Sequence, residues 1–140
     1  MKQFFSIAAC IFIPFVGLAE DSPLFLEVSK DTDLSAYQWT HRPVVVFANS
    51  KEDVNYQRQI KMLEREIKSL VERDVIILTD TTPNLATPLR DALRPRGFAL
   101  LLFGKDGQVK LRKPFPWSVR ELSRVIDKMP MRRQELNAVK

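Results

Sequence analysis

The stretch Arg42-Pro43-Val44-Val45-Val46-Phe47-Ala48-Asn49-Ser50-Lys51-Glu52-Asp53 decides the architecture. Its apolar run does not alternate with polar residues, so the strand it predicts is covered on both faces, as at the centre of an α/β sheet. Val75-Ile76-Ile77-Leu78 and the run from Phe98 to Phe103 read the same way. Between the first two runs, Tyr56, Ile60, Leu63, Ile67 and Leu70 recur at steps of four and three, which is one face of an amphipathic helix. Strand, helix and strand in this order predict a parallel pair joined by a right-handed crossover. Ser50 with Asp53 three residues later resembles a capping box and places the helix start near Lys51. Arg73 closes the helix, a cation at the negative end of its dipole.

Further along, Thr87-Pro88 fits an N-cap followed by proline at the first helical position, and Pro95 stops that helix after barely two turns. Gly97 lies between this short helix and a buried strand, where a left-handed turn or a close approach is expected. The Asp106-Gly107 pair signals a hairpin, after which Gln108 to Arg112 alternates as an edge strand should. Ser118 and Glu121 form a second capping box, with Trp117 and Leu122 at the staple positions. Leu122, Val125, Ile126 and Met129 give the last helix its apolar face, and that helix is expected to end before Pro130. The order β-α-β-α-β-β-α is that of an α/β, thioredoxin-like three-layer sandwich.

At the residue level the chain resembles the bacterial branch of domain-of-unknown-function family 4174, a thioredoxin-like domain also found in vertebrate extracellular-matrix and sushi-repeat proteins. The matching stretches are Arg42 to Ala48, Ser50 with Asp53, Tyr56 and Gln59, then Glu72-Arg73-Asp74 and Gly97-Phe98. They continue through Gly104-Lys105-Asp106-Gly107 and Val109-Lys110-Leu111-Arg112 to Ile126-Asp127 and Met129-Pro130-Met131-Arg132-Arg133. The resemblance covers nearly all of the chain from Arg42 to Glu135. It implies a thioredoxin-like fold and a place outside the cytoplasm, and it carries no established reaction; the antioxidant role suggested for the family rests on fold analogy.

The first residues read as an export signal. Lys2 supplies the positive start, Phe4 to Val16 is nearly all apolar, and Gly17-Leu18-Ala19 offers small residues for cleavage after Ala19. The apolar run falls short of the roughly 20 residues of a membrane-spanning helix, so no transmembrane anchor is expected after cleavage. A rival reading takes Ile7-Ala8-Ala9-Cys10 as a lipobox, although the apolar stretch before it is shorter than the roughly 7 residues such signals need. The division expected is a signal peptide at 1–19, a lead-in at 20–41 and a thioredoxin-like domain at 42–140, with a periplasmic or secreted location. Cleavage leaves 21 basic against 17 acidic residues, a net charge of about +4, and removes Cys10, the chain's single cysteine. That balance favours anionic surfaces without the dense Lys/Arg run of a dedicated nucleic-acid binder.

Thioredoxins carry Cys-x-x-Cys after the first central strand, where the helix dipole lowers the thiol pKa. Here that segment is Ala48 to Asp53 and holds no thiol, and Phe98 occupies the position of the proline that precedes the third strand. Disulfide exchange is excluded by composition, and no cofactor and no metal ligand set are expected. Asn49, Ser50, Asp53 and Tyr56 form a candidate binding site at the helix start, for a small anion or a partner carbonyl. The plainer reading makes Ser50 and Asp53 caps and Tyr56 the start of a buried face. His41 lacks partners for catalysis or metal binding and reads as solvent-exposed, and Met129 with Met131 makes a poor copper site without Cys or His. Lys110, Arg112, Arg120, Arg124, Lys128, Arg132 and Arg133 are the other candidate binding residues, on consecutive elements whose fields are expected to add. Phe115 and Trp117 offer an aromatic contact beside them. The reading is a non-catalytic binding or accessory module for an unknown protein or anionic envelope component, its oligomeric state open. An antioxidant or other redox enzyme and a scaffold adding its edge strand to another chain are the alternatives.

Overall fold

A computed structural model describes residues 24–140. The expected signal peptide, its cleavage point and Cys10 lie outside these residues. Five strands form one sheet in the order β1-β3-β2-β4-β5: β1 (Phe25–Glu27), β2 (Arg42–Phe47), β3 (Val75–Asp80), β4 (Ala99–Phe103) and β5 (Val109–Lys113). β2 and β3 run parallel with Val44 opposite Ile77, β4 runs antiparallel to β2 with Leu102 opposite Val44, and β5 is the edge. The apolar runs occupy the centre because both faces are covered. Val44 and Val46 pack against Leu63, Leu70, Leu122 and Ile126 on one side, while Val45 and Phe47 pack against Leu78, Leu89 and Leu101 on the other. Burying each such side chain contributes about 1.5–3 kcal/mol.

The structure departs from the sequence expectation in the lead-in and in the first helix. The lead-in is part of the sheet: β1 pairs parallel with β3, Phe25 opposite Ile77, a long-range contact that three residues cannot announce. The first helix is broken into α1 (Val54–Glu64) and α2 (Ile67–Val71). Glu66, at φ −125° and ψ 33°, turns the chain so that Ile67 faces water while Leu70 returns to the core. α1 begins at Val54 because Asp53, not Ser50, is the cap, its carboxylate accepting from Tyr56 N at 2.9 Å.

α3 (Pro88–Leu93) starts at Thr87-Pro88 and stops before Pro95, as the sequence indicates. α4 (Val119–Asp127) carries the complete Ser118/Glu121 capping box. Pro130, however, does not end the chain's helical structure. It opens a further helix, α5 (Pro130–Ala138), because proline's fixed φ suits a first helical position as well as it blocks an interior one. Met129 is buried in the core at the junction. Gln59, fully buried in α1, holds α4 in place: its amide donates to Trp117 O at 2.9 Å and accepts from Trp117 N at 2.8 Å.

Candidate functional site

The end of β2 where thioredoxins place their thiols is closed by an ion pair. Asp80, fully buried at the end of β3, accepts from the Arg90 guanidinium at 2.9 Å and from the Thr87 hydroxyl at 3.1 Å. The same Arg90 nitrogen donates to Ala48 O at 3.1 Å, and the guanidinium sits 5.3 Å from the centre of the Phe47 ring. Sequence reading missed Asp80, Thr87 and Arg90 as a group. The one signal was an aspartate ending a buried strand, which needs a partner once it is desolvated. Around this plug, Asn49 is exposed, Asp53 is spent on the cap and Tyr56 packs half-buried against the core. Lys51 reaches back to Glu27 at 3.2 Å.

The seven basic candidates on the carboxy-terminal elements do not gather on one face. Arg132 is buried, donating to Asp127 at 3.2 Å and to Glu72 O at 3.1 Å, so it holds α5 rather than a ligand. Lys110 is paired with Asp106 at 2.8 Å. Arg120 and Arg124 border a groove that also contains Glu66 and Asp127. Lys128 and Arg133 are exposed. His41 is half-buried rather than exposed, edge-on to Tyr37 and sharing a hydrogen bond with Thr40.

Arg112 belongs to a different grouping. α3 ends with Arg94 in the left-handed region, Pro95 follows, and Gly97 at φ +64° turns the chain into β4. The antiparallel β4–β5 register sets Arg112 opposite Leu101 and Lys113 opposite Leu100, beside that turn. Arg112 donates to Leu93 O at 2.7 Å and Arg94 O at 3.1 Å, satisfying the last carbonyls of α3. The result is a cleft of about 350 Å³ walled by Arg94, Arg96, Arg112 and Lys113 over Phe98 and Pro114. No carboxylate lines it, and none of the four cations forms a salt bridge among the described residues. Lys113 lies over the Trp117 ring, 4.5 Å from its centre. Arg94 and Arg96 were not singled out in the sequence. An Arg-Pro-Arg-Gly turn between helix and strand was the available sign.

Of the two expectations for Gly97, the left-handed turn holds and the close approach does not. A Cβ at Gly97 would meet nothing within 4 Å, so substitution costs only backbone strain. Gly97→Val is expected to lower unfolding free energy by about 1–3 kcal/mol in urea denaturation, with Gly97→Asn clearly milder. Equal stability of Val and Asn variants would contradict that reading.

With no thiol at the β2 end, what distinguishes the site is electrostatic: four cations that can hold an anion. Among the described residues no three His, Cys, Asp or Glu side chains gather as a metal site, and no helix is long and apolar enough to cross a membrane. A family model described as Domain of unknown function (DUF4174) matches residues 33–135. Coiled-coil domain-containing protein 80 of Danio rerio is 31% identical over 147 residues, covering 84% of this chain and 16% of that protein, so the chain spans about a sixth of its relative. Among solved structures, thioredoxin peroxidase I of Plasmodium yoelii matches with a TM-score of 0.55 at 20% identity, covering 74% of this chain and 80% of that one. Desulfothioredoxin from Desulfovibrio vulgaris Hildenborough matches at 0.54 and 14%, covering 75% and 97%. Chloroplastic thioredoxin z matches at 0.56 and 15%, covering 74% and 92%. These likenesses show a thioredoxin-like fold.

Proposed function

Because the chain belongs to the DUF4174 family and has its thioredoxin-like fold without the Cys-x-x-Cys, we propose that it is a non-catalytic binding module working outside the cytoplasm, in the periplasm or secreted. Its ligand is an anionic group on a protein or envelope partner, held in the cleft of Arg94, Arg96, Arg112 and Lys113. The observation carrying this is the four cations without a carboxylate among them. Like charges held close raise the local potential, and the free energy of that repulsion is recovered when an anion arrives. The extracytoplasmic address is supported by the signal-like pattern from Lys2 to Ala19.

The edge-strand reading is less well supported, since β5 carries exposed Lys110 and Arg112 and its pairing with β4 is irregular between Leu102 and Phe103. Charges and irregular edges are what sheets use to discourage strand addition. The redox-enzyme reading lacks the Cys-x-x-Cys on which thioredoxin chemistry rests.

The test uses inorganic pyrophosphate as probe and the variant Arg94→Gln/Arg96→Gln/Lys113→Gln, which spares Arg112 because it braces α3. Calorimetric titration at low salt is expected to show binding that weakens about tenfold or more in the variant and fades with salt, at an unchanged melting temperature. Equal binding by the variant would overturn the cleft as the site. The non-catalytic part fails if protein freed of residues 1–19 reduces insulin disulfides or consumes peroxide above a buffer blank.

A further inference from the structure

The loop from β5 into α4 borders the basic cleft and holds a feature that anion binding alone does not use. It runs Pro114-Phe115-Pro116-Trp117. Pro114 lines the cleft beside Arg112 and Lys113, and Phe115 follows it, one Cα step of about 3.8 Å away. Phe115 is 56% exposed. The core does not use its ring, which belongs to neither apolar cluster. Trp117, two residues on, packs against the core and has its backbone held by Gln59. Pro114 and Pro116 fix φ on either side of Phe115, and Pro116 also disfavours helical backbone at Phe115 itself. The loop therefore has little chain freedom to lose when a partner arrives.

The charge beside this ring has one sign. Arg94, Arg96 and Arg112 are exposed and Lys113 is half-buried, with no carboxylate among them. Glu121, the first acidic residue after the loop, accepts from Ser118 N at 3.2 Å in the α4 cap. A protein interface of ordinary size covers about 800 Å² per partner around an apolar centre of several residues. One ring beside four cations supplies no such centre. A lipid surface accepts this combination, because headgroup phosphates attract Lys and Arg while an aromatic ring settles at the boundary with the acyl chains.

Resting on the anion-binding reading of the cleft, we infer that the anion is the phosphate of a lipid headgroup, and that the protein docks on an anionic bilayer with Phe115 inserted. Arg94, Arg96 and Lys113 meet the phosphates, while Arg112 adds charge and keeps its hold on the α3 carbonyls. Attachment through one ring and a few cations is reversible and weakens with salt.

The test uses residues 20–140, which hold the whole sheet and both core clusters, because the apolar run from Phe4 to Val16 would bind lipid by itself. Cosedimentation is measured with vesicles of phosphatidylcholine, alone or with about one quarter phosphatidylglycerol. At low salt, binding to the anionic vesicles is expected to exceed binding to neutral ones by at least about tenfold, each cation contributing about fivefold. Arg94→Gln/Arg96→Gln/Lys113→Gln is expected to lose that excess. Phe115→Ser is expected to weaken vesicle binding by about fivefold or more while leaving pyrophosphate binding unchanged, and Phe115→Leu to recover most of the loss. Pyrophosphate binding without vesicle binding would overturn the bilayer and leave the cleft standing. Vesicle binding that ignores the triple variant would overturn both. Equal vesicle binding by Phe115→Ser, or equally tight binding of soluble polyglutamate at matched charge, would replace the bilayer with another anionic partner.

Discussion

Arg90→Met is expected to destabilise the protein by about 3–5 kcal/mol, because it leaves the Asp80 carboxylate charged and dry. Asp80 has no exposed side-chain surface and Arg90 only 10%, so water cannot substitute for the guanidinium. What remains, Thr87 Oγ1 at 3.1 Å and Thr82 N at 3.2 Å, satisfies lone pairs but carries no countercharge. The Ala48 and Asp80 carbonyls lose their shared donor at the same time. A thermal midpoint lower by on the order of 10–20 °C follows for a domain of this size. The double variant Arg90→Met/Asp80→Leu is expected to recover a large part of the loss, since two apolar side chains pack where a lone charge does not. Additive losses in the double variant would show that the pair's role lies elsewhere than in mutual neutralisation.

Glu135→Gln is expected to cost about 2–4 kcal/mol near neutral pH, below the full buried-pair figure because Glu135 keeps 26% of its side chain in water. The carboxylate joins α5 to the sheet, accepting from Arg42 at 2.9 Å and pairing with Lys105 at 2.7 Å. Burial pushes the Glu135 carboxyl up, but the hydrogen bonds from Arg42 and Lys105 outweigh it and hold the group below its ordinary 4.5. Asp127 is held below 3.8 in the same sense, chiefly by the Arg73 hydrogen bond against its partial burial, with Arg132 adding to it. A folded-state pKa below the unfolded value means stability that is fully present above the unfolded pKa and is lost as pH falls through the folded one. Urea midpoints are therefore expected to hold from neutral pH to about 5 and fall below about 4.5, with a shallower fall in Glu135→Gln. Parallel acid limbs for the two proteins would remove Glu135 from the account.

Much of the fold was legible because apolar runs and helix periodicity are local consequences of burial. Val44 to Phe47 and Leu100 to Leu102 read as central strands and are. Thr87-Pro88, Ser118 with Glu121, and Gly97 each declared a turn or cap through chemistry within four residues. The misreadings share a cause as well. The 3.6-residue pattern runs through Arg65-Glu66 without a breaker, so the bend between α1 and α2 left no mark. Pro130 has the same chemistry whether it ends one helix or begins the next, and only the docking of α5 chose. Arg42 and Arg132 count as solvated charges in any composition, yet both are buried in the fold, where Arg132 of α5 donates to Glu72 O and Arg42 to Glu135 of α5.

The sequence by itself determined the sheet's central strands, the topology that follows from their order, and the absence of a thiol where thioredoxins react. Tertiary structure alone decided which charges are spent and which are free. Ion pairing falls off with distance in space, not along the chain. Six of the seven cations that looked like one basic face were divided among structural pairs, a mixed groove and open water, while the seventh, Arg112, was joined by Arg94, Arg96 and Lys113 only because the β4–β5 hairpin brings its second strand back beside the end of α3.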